Sequence, residues 1–164
     1  MDDYAVDRSH RLESAGFTPS IEWKERSIVS VSENGKTYKV SVAAGLRSAV
    51  FQIDGVVITT GSKCDKFLAA INADMNPYGT AVFIELKGKD ISHAIDQLEA
   101  TLTSQRFMPK PRKEDSVRAR IVTANCGPKS SSKAKLEEAR IRFKTQYNTE
   151  LRVLKNQQSD ISIT

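Results

Sequence analysis

Residues 82–88 read Val-Phe-Ile-Glu-Leu-Lys-Gly, an apolar run interrupted by one Glu and one Lys two positions apart. A strand sends alternate side chains to opposite faces. Glu85 and Lys87 therefore emerge side by side on the face that Phe83 shares, while Ile84 and Leu86 enter the other layer. Paired charges at the end of a buried strand point to chemistry.

Downstream of Gly88 the period changes from two to about 3.6. Ile91, Ala94, Ile95, Leu98 and Leu102 make one stripe behind an N-cap at Asp90, which predicts a helix over 90–105. A two-proline connector over 108–112, a strand over 117–124 and a Gly127-Pro128 break follow. A second helix is capped by Ser130–Ser132 and shows Leu136, Ala139, Phe143 and Tyr147 on one face, and 151–154 is a last short strand. The spacing from 80–87 through a helix to 117–124 is that of a crossover unit, so these two strands are expected to be parallel.

Upstream, β-rich runs at 27–32 and 37–42 flank Glu33-Asn34-Gly35, a hairpin signal. Runs at 49–53 and 56–60 flank Asp54-Gly55 and suggest a second hairpin. Lys63 to Ile71 is a further β-like run, closed by a turn-rich segment over 72–79. The fold class is α/β (α+β): a mixed central sheet flanked by helices. Residues 1–26 are expected as a polar, partly ordered segment, 27–155 as one domain and 156–164 as a loose tail.

A chain of 164 residues with 39% apolar content suffices for one packed domain. No apolar stretch approaches the roughly 18 residues of a membrane helix, and Met1-Asp2-Asp3-Tyr4 lacks the character of a signal peptide, so the cytoplasm is the expected compartment. Cys64 and Cys126 have no CxxC partner or histidine cluster, so both are read as reduced thiols. Lys and Arg number 11 against 14 Asp and Glu over 1–105, but 14 against 6 over 106–164. The basic character belongs to the C-terminal third, which suits a polyanion or a solvated basic face.

Asp65 lies twenty residues before Glu85 across one turn, so pairing of their strands would bring two carboxylates together at one end of the sheet. Two such groups repel unless a cation joins them. Mg²⁺ accepts hard oxygen ligands and keeps waters, and a Lys beside it can hold a water and offset charge building on a phosphate. Asp65, Glu85 and Lys87 form a phosphodiester-hydrolysis constellation. Blander readings stand beside it: a Glu85–Lys87 surface ion pair, Asp54 as turn chemistry, Cys64 as a small buried side chain and His93 as a surface histidine.

Lys63-Cys64-Asp65, then Phe83-Ile84-Glu85-Leu86-Lys87-Gly88, then a helix with His93-Ala94-Ile95-Asp96-Gln97-Leu98, resembles the PD-(D/E)xK nuclease superfamily with its restriction-endonuclease-like fold. The resemblance covers roughly 49–124. It implies a Mg²⁺ (or Mn²⁺) site on Asp65, Glu85 and the Leu86 carbonyl, a water-positioning Lys87, and Gln97 as the residue that orients Lys87 or the DNA end. Cys64 stands where the family's proline would be, and Thr101 where exonuclease branches carry a Tyr four residues after the Gln. Glu22 and Glu25 are candidates for the extra upstream acid of some branches.

Arg118 and Arg120 on the strand, with Lys133, Arg140 and Lys144 on the second helix, are the candidate phosphate-backbone contacts. Nucleic acid, with DNA favoured, is the expected partner and a membrane is not. A chain of this size with one site often dimerises to cut two strands. The alternative is a non-catalytic nucleic-acid-binding or regulatory interaction module of the same fold.

Overall fold

The computed structural model describes residues 7–72, 79–88, 90–108, 114–124 and 130–164. Along these run α1 (Arg8–Ser14), β1 (Ile21–Glu25), β2 (Ile28–Glu33), β3 (Lys36–Val42), β4 (Leu46–Gln52), β5 (Lys66–Asn72), β6 (Gly79–Gly88), α2 (Ile91–Leu102), β7 (Glu114–Thr123), α3 (Ser130–Tyr147), β8 (Thr149–Lys155) and β9 (Ser159–Ile163). The expected turn beyond Asn72, most of the two-proline connector, the Gly127-Pro128 break and Cys126 fall outside the described residues.

A six-stranded mixed sheet in the order β1-β4-β5-β6-β7-β8 carries helices on one face and a three-stranded sheet, β2-β3-β9, on the other. The neighbours β4, β5 and β6 form an antiparallel meander. β6 then pairs parallel with β7, and β7 with β8, as the crossover spacing requires. Gly79 opens β6 against β5 where a Cβ would stand 2.8 Å from Ala70 O, so the approach admits only glycine.

Strand alternation divides the core into two layers. Ala81 and Phe83 of β6 pack toward the helices with Phe51, Phe67, Phe107, Ile95, Leu98, Leu136 and Phe143. Val82, Ile84 and Leu86 pack toward the second sheet with Val29, Val31, Tyr38 and Val40. The Phe67–Phe83 and Phe83–Phe107 ring centroids are each 5.0 Å apart, and the buried Arg8 guanidinium lies 5.5 Å over the Phe83 ring.

The Asn-Gly hairpin forms as expected, with Asn34 (φ 53°) and Gly35 (φ 73°) both left-handed between β2 and β3. α2 starts on Asp90, whose Oδ1 accepts from His93 N at 3.0 Å. α3 begins at Ser130, so the serine run lies inside its first turn and not ahead of it. Leu136, Ala139 and Phe143 are buried as the stripe requires. Across the helix layer, Arg142 grips Glu99 at 2.7 and 3.1 Å, and Tyr147 Oη donates to the same carboxylate at 2.9 Å.

Two expectations, the second hairpin and the loose tail, are corrected, and the partly ordered N-terminal segment gains a strand that was not foreseen. The second hairpin does not form: Val56, Val57 and Ile58 N–H groups all donate to Ile53 O in a tight turn, and β4 pairs with β5 instead. The N-terminal segment contributes α1 and an edge strand, β1, which pairs with β4. The tail beyond Lys155 is not loose, because β9 pairs parallel with β3. Its anchor is Asp160, 6% exposed, whose carboxylate accepts from Tyr38 Oη (2.7 Å), Arg120 Nε (3.0 and 2.9 Å) and Arg118 Nη1 (3.3 Å).

Burial alone would raise the Asp160 pKa; the Arg120 charge and the Tyr38 and Arg120 hydrogen bonds outweigh it and hold the carboxyl below its ordinary 3.8. The same burial pushes the Tyr38 hydroxyl far up. A carboxylate lowered on folding stabilises the folded state above its unfolded pKa, and that contribution is lost as pH falls through the folded value. Replacing Asp160 by Asn takes one of two carboxylates from buried Arg120, which keeps Glu150 Oε1 at 2.7 Å, and is expected to cost about 1–3 kcal/mol in denaturant unfolding. Below about pH 4, where the unfolded carboxyl titrates, the wild-type melting temperature should fall more steeply than that of Asp160→Asn. Parallel acid limbs for the two proteins would refute this account of the β9 anchor.

Candidate metal and phosphodiester site

The segment Lys63-Cys64-Asp65 leads into β5, which starts at Lys66, so Asp65 sits just ahead of the strand and not within it. The register Lys66↔Ile84 carries the chain to β6, and Asp65 continues the contact by different bonds. Its N–H donates to Ile84 O (3.1 Å), its C=O accepts from Ile53 N (2.9 Å), and its Oδ2 accepts from Leu86 N (2.7 Å). A carboxylate thus takes the place of a backbone carbonyl at the end of the ladder. Asp65 is held against β6 on either side of Glu85.

Glu85 follows Phe83 on the helix-facing side and is 0% exposed; Asp65 is 2% exposed. Cys64 lies within the field of both acids. Burial pushes its thiol pKa well up, the Glu85 and Asp65 charges push the same way, and a hydrogen bond with Thr101 opposes them. A thiol so placed is a packing group and not a nucleophile.

α2 supplies the other wall. Gln97, 7% exposed, donates from Nε2 to Lys63 O at 3.1 Å, and its Oε1 has no hydrogen-bond partner among the described residues. One turn later Thr101 Oγ1 accepts from Cys64 N (2.7 Å) and donates to Gln97 O (2.9 Å). Thr101, the departure from the exonuclease pattern, is the residue that sequence reasoning undervalued. It fastens the Asp65 segment to α2, and its signal was a threonine four residues after Gln97 on the flank of an apolar stripe.

The sequence-derived residues are distributed as follows. Asp65 is bonded to Ile84 and Leu86 on either side of Glu85, and Gln97 is tied to Lys63, two residues before Asp65. Lys87 lies two residues beyond Glu85 on the same strand, and its side chain falls outside the described residues. Asp54 pairs with Lys63 at 3.7 Å in its turn, and His93 is exposed on α2. Glu22 is exposed on β1, while Glu25 Oε1 accepts from Gly45 N; β1 is three strand spacings from β6, about 14 Å, so neither upstream acid joins the site.

Two of the five candidate phosphate contacts are corrected. Arg120 is fully buried and Arg118 is 9% exposed; both are bound to Asp160, and Arg118 also donates to Ile161 O and Ser162 O along β9. Their alternation on β7 aims them at the second sheet. Lys133 and Lys144 are exposed on α3, and Arg140 is half-buried and paired with Glu137.

Asp65, Glu85, the Leu86 carbonyl and Gln97 Oε1 are oxygen donors without exception. Such a set fits Mg²⁺ or Mn²⁺ with waters completing the shell, and does not fit a closed zinc cage. Among the described residues no group of three or more His, Cys, Asp or Glu is placed to hold a metal ion. Any cation here would rest on two side-chain carboxylates.

In a Cys126→Ser background Cys64 is expected to react with a thiol reagent only as fast as the protein opens. Thr101→Val, which strips a buried N–H of its acceptor, should destabilise by about 1–3 kcal/mol and speed that labelling. Immediate stoichiometric labelling of the folded parent would contradict the buried placement.

Comparison with family models, with curated proteins and with solved structures found no match for this chain.

Proposed function

We propose that the protein is a divalent-metal-dependent nuclease that hydrolyses phosphodiester bonds of nucleic acid, DNA in the first instance. The observation that carries this reading is that buried Asp65 is bonded to Ile84 O and Leu86 N, on either side of buried Glu85 and just before Lys87 in β6. Carboxylate oxygens are hard donors, and such donors suit a hard divalent cation. When bound, the ion would supply charge stabilisation to the phosphate under attack. The elements carrying the motif follow one another as the resemblance requires: strand, strand, helix, parallel strand.

The chain's own residues have separate tasks. Asp65 is oriented by Leu86 N, which also fixes the peptide next to the proposed Leu86 carbonyl ligand. Glu85 supplies the second carboxylate. Lys87 would hold the attacking water and offset the charge that grows on the phosphoryl oxygens. Gln97, tied to Lys63 by its Nε2, keeps an acceptor oxygen available for the Lys87 ammonium or the ion. Attack by water on phosphorus forms one P–O bond as the bond to the leaving sugar oxygen breaks, the water giving its proton to solvent and the sugar oxygen taking one from solvent. Lys133 and Lys144 remain as surface cations for the flanking strand.

A second reading, a non-catalytic nucleic-acid-binding module, is favoured by one observation: both carboxylates are sealed from solvent. Activity decides between them. Purified protein with Mg²⁺ or Mn²⁺ is expected to cut at least one of single-stranded DNA, duplex DNA or RNA. The shape-conserving Asp65→Asn and Glu85→Gln, and Lys87→Ala, should each reduce the rate by about 10²–10⁴-fold with nucleic-acid binding retained. A folded wild type that cuts none of these substrates with either ion sinks the nuclease, and salt-insensitive binding removes the module as well.

A further inference from the structure

The two edges of the six-stranded sheet are finished differently. At β1 the register shifts between Ile21 and Lys24, and Arg26 donates from Nη2 to Glu22 O at 2.7 Å, so a side chain already occupies that edge. At β8, Asn156 N donates to Thr123 O at 2.7 Å, just beyond the parallel ladder. Alternate residues of a parallel strand bond to one neighbour, so Glu150, Arg152 and Leu154 turn their backbone groups to β7, while Thr149, Leu151, Val153 and Lys155 turn theirs outward.

Lys155 is closed off on that outer side. Its N–H donates to Gln158 Oε1 and its C=O accepts from Gln158 N, both at 2.9 Å. Leu151 and Val153 instead line a groove of about 440 Å³ that follows residues 150–154 between Arg140 and Gln158. A strand edge at the floor of a groove is the shape that accepts an extended chain.

We infer that β8 is the interface for a second copy of this chain, paired antiparallel about a two-fold axis through Leu151. Outward backbone groups must meet outward groups, which allows an axis at Leu151 or at Arg152. An axis at Arg152 sets that cation against its own copy. An axis at Leu151 sets Glu150 against the second copy's Arg152, twice, with Leu151 opposite Leu151 and Thr149 opposite Val153. Opposed unlike charges favour an antiparallel ladder and like charges oppose it. In the single chain Glu150 Oε1 accepts from the buried Arg120 Nη2 at 2.7 Å and from Arg152 Nε at 3.0 Å, with the Glu150 and Arg152 side chains 46% exposed, so pairing across the axis keeps the Arg120 bond, exchanges only the Arg152 contact and buries no lone charge. An axis perpendicular to the sheet keeps both helix layers on one side, so the two copies of the Asp65–Glu85 pair face the same way. The interface stands whether or not that pair cleaves anything.

Sedimentation equilibrium from low to high micromolar concentration tests it. The wild type should move from 18.2 kDa toward twice that mass as concentration rises. Arg152→Glu, which replaces an exposed side chain bonded to Glu150, should melt as the wild type does and stay at the single-chain mass. Glu150→Lys, which also takes an acceptor from Arg120 and should melt somewhat lower while still folding cooperatively, should stay single too, and an equal mixture of the two folded variants should recover the double mass, because every opposed pair is again of unlike charge. A wild type that remains at 18.2 kDa throughout, or Arg152→Glu that assembles as the wild type does, overturns the interface. A mixture that stays single overturns the register.

Discussion

Burial of β6 on both faces is the constraint on which the rest of the structure depends. With helices on one side and a second sheet on the other, positions 81–86 are sealed, and five of the six are apolar. A carboxylate at the sixth, Glu85, is costly in such surroundings, and the cost is bearable only where the ladder ends and other polar groups can be brought close. The end of β6 is such a place. There the chain leading into β5 makes its outermost backbone bond, Asp65 N–H to Ile84 O, and the Asp65 carboxylate receives the Leu86 N–H that a carbonyl would otherwise take.

The second sheet puts the chain's charges to an internal use. Asp160 brings β9 under β7 by binding Arg118 and Arg120, so two of the fourteen cations of the C-terminal third lie between layers. Arg142 and Lys135 face Glu99 and Asp96 of α2, and Arg140 faces Glu137. Glu99 is held below the usual carboxylate range: burial acts against it, and the Arg142 and Tyr147 hydrogen bonds prevail. The basic balance counted along the sequence therefore overstates the field available at the surface, because much of it is neutralised where it holds elements together.

Much of the fold was legible because period and position agreed. The 82–86 alternation, the Asp90-capped stripe and the Asn34-Gly35 turn each demand one local structure, and the crossover spacing fixed β6 and β7 as parallel. β9 was illegible because Ser159-Asp160-Ile161-Ser162-Ile163 places a charge at an inward position; only the arginines forty residues away in sequence make that position a core one. Arg118 and Arg120 misled for the matching reason, since a strand's alternation says that two cations share a face but not which layer that face meets. β1 was missed because an edge strand with one face in water needs few apolar residues. Ile53 O ended the Asp54-Gly55 hairpin by collecting three N–H groups in a turn, an outcome that local β propensity does not encode.

Asp65, Cys64 and Gln97 lie near one another through Lys63 and Thr101, and what fixes them was hidden in a helix position read only as a departure. Gln97 and Thr101 stand one turn apart on α2 and grip Lys63 O and Cys64 N, so the Asp65 segment takes its position from α2. Glu99, between them in sequence and on another side of the helix, takes its position from Arg142 and Tyr147 of α3. α3 in turn packs on β8, the last strand among the described residues of the same sheet that holds Glu85 at its centre. The geometry of the two carboxylates is thus set by a closed circuit of contacts running from β6 through α2 and α3 to β8 and back through β7. A shift of α2 along its axis would move Gln97, Thr101 and the Asp65 segment together relative to Glu85, so the separation of the two acids depends on how firmly the Glu99 clasp holds the helix layer.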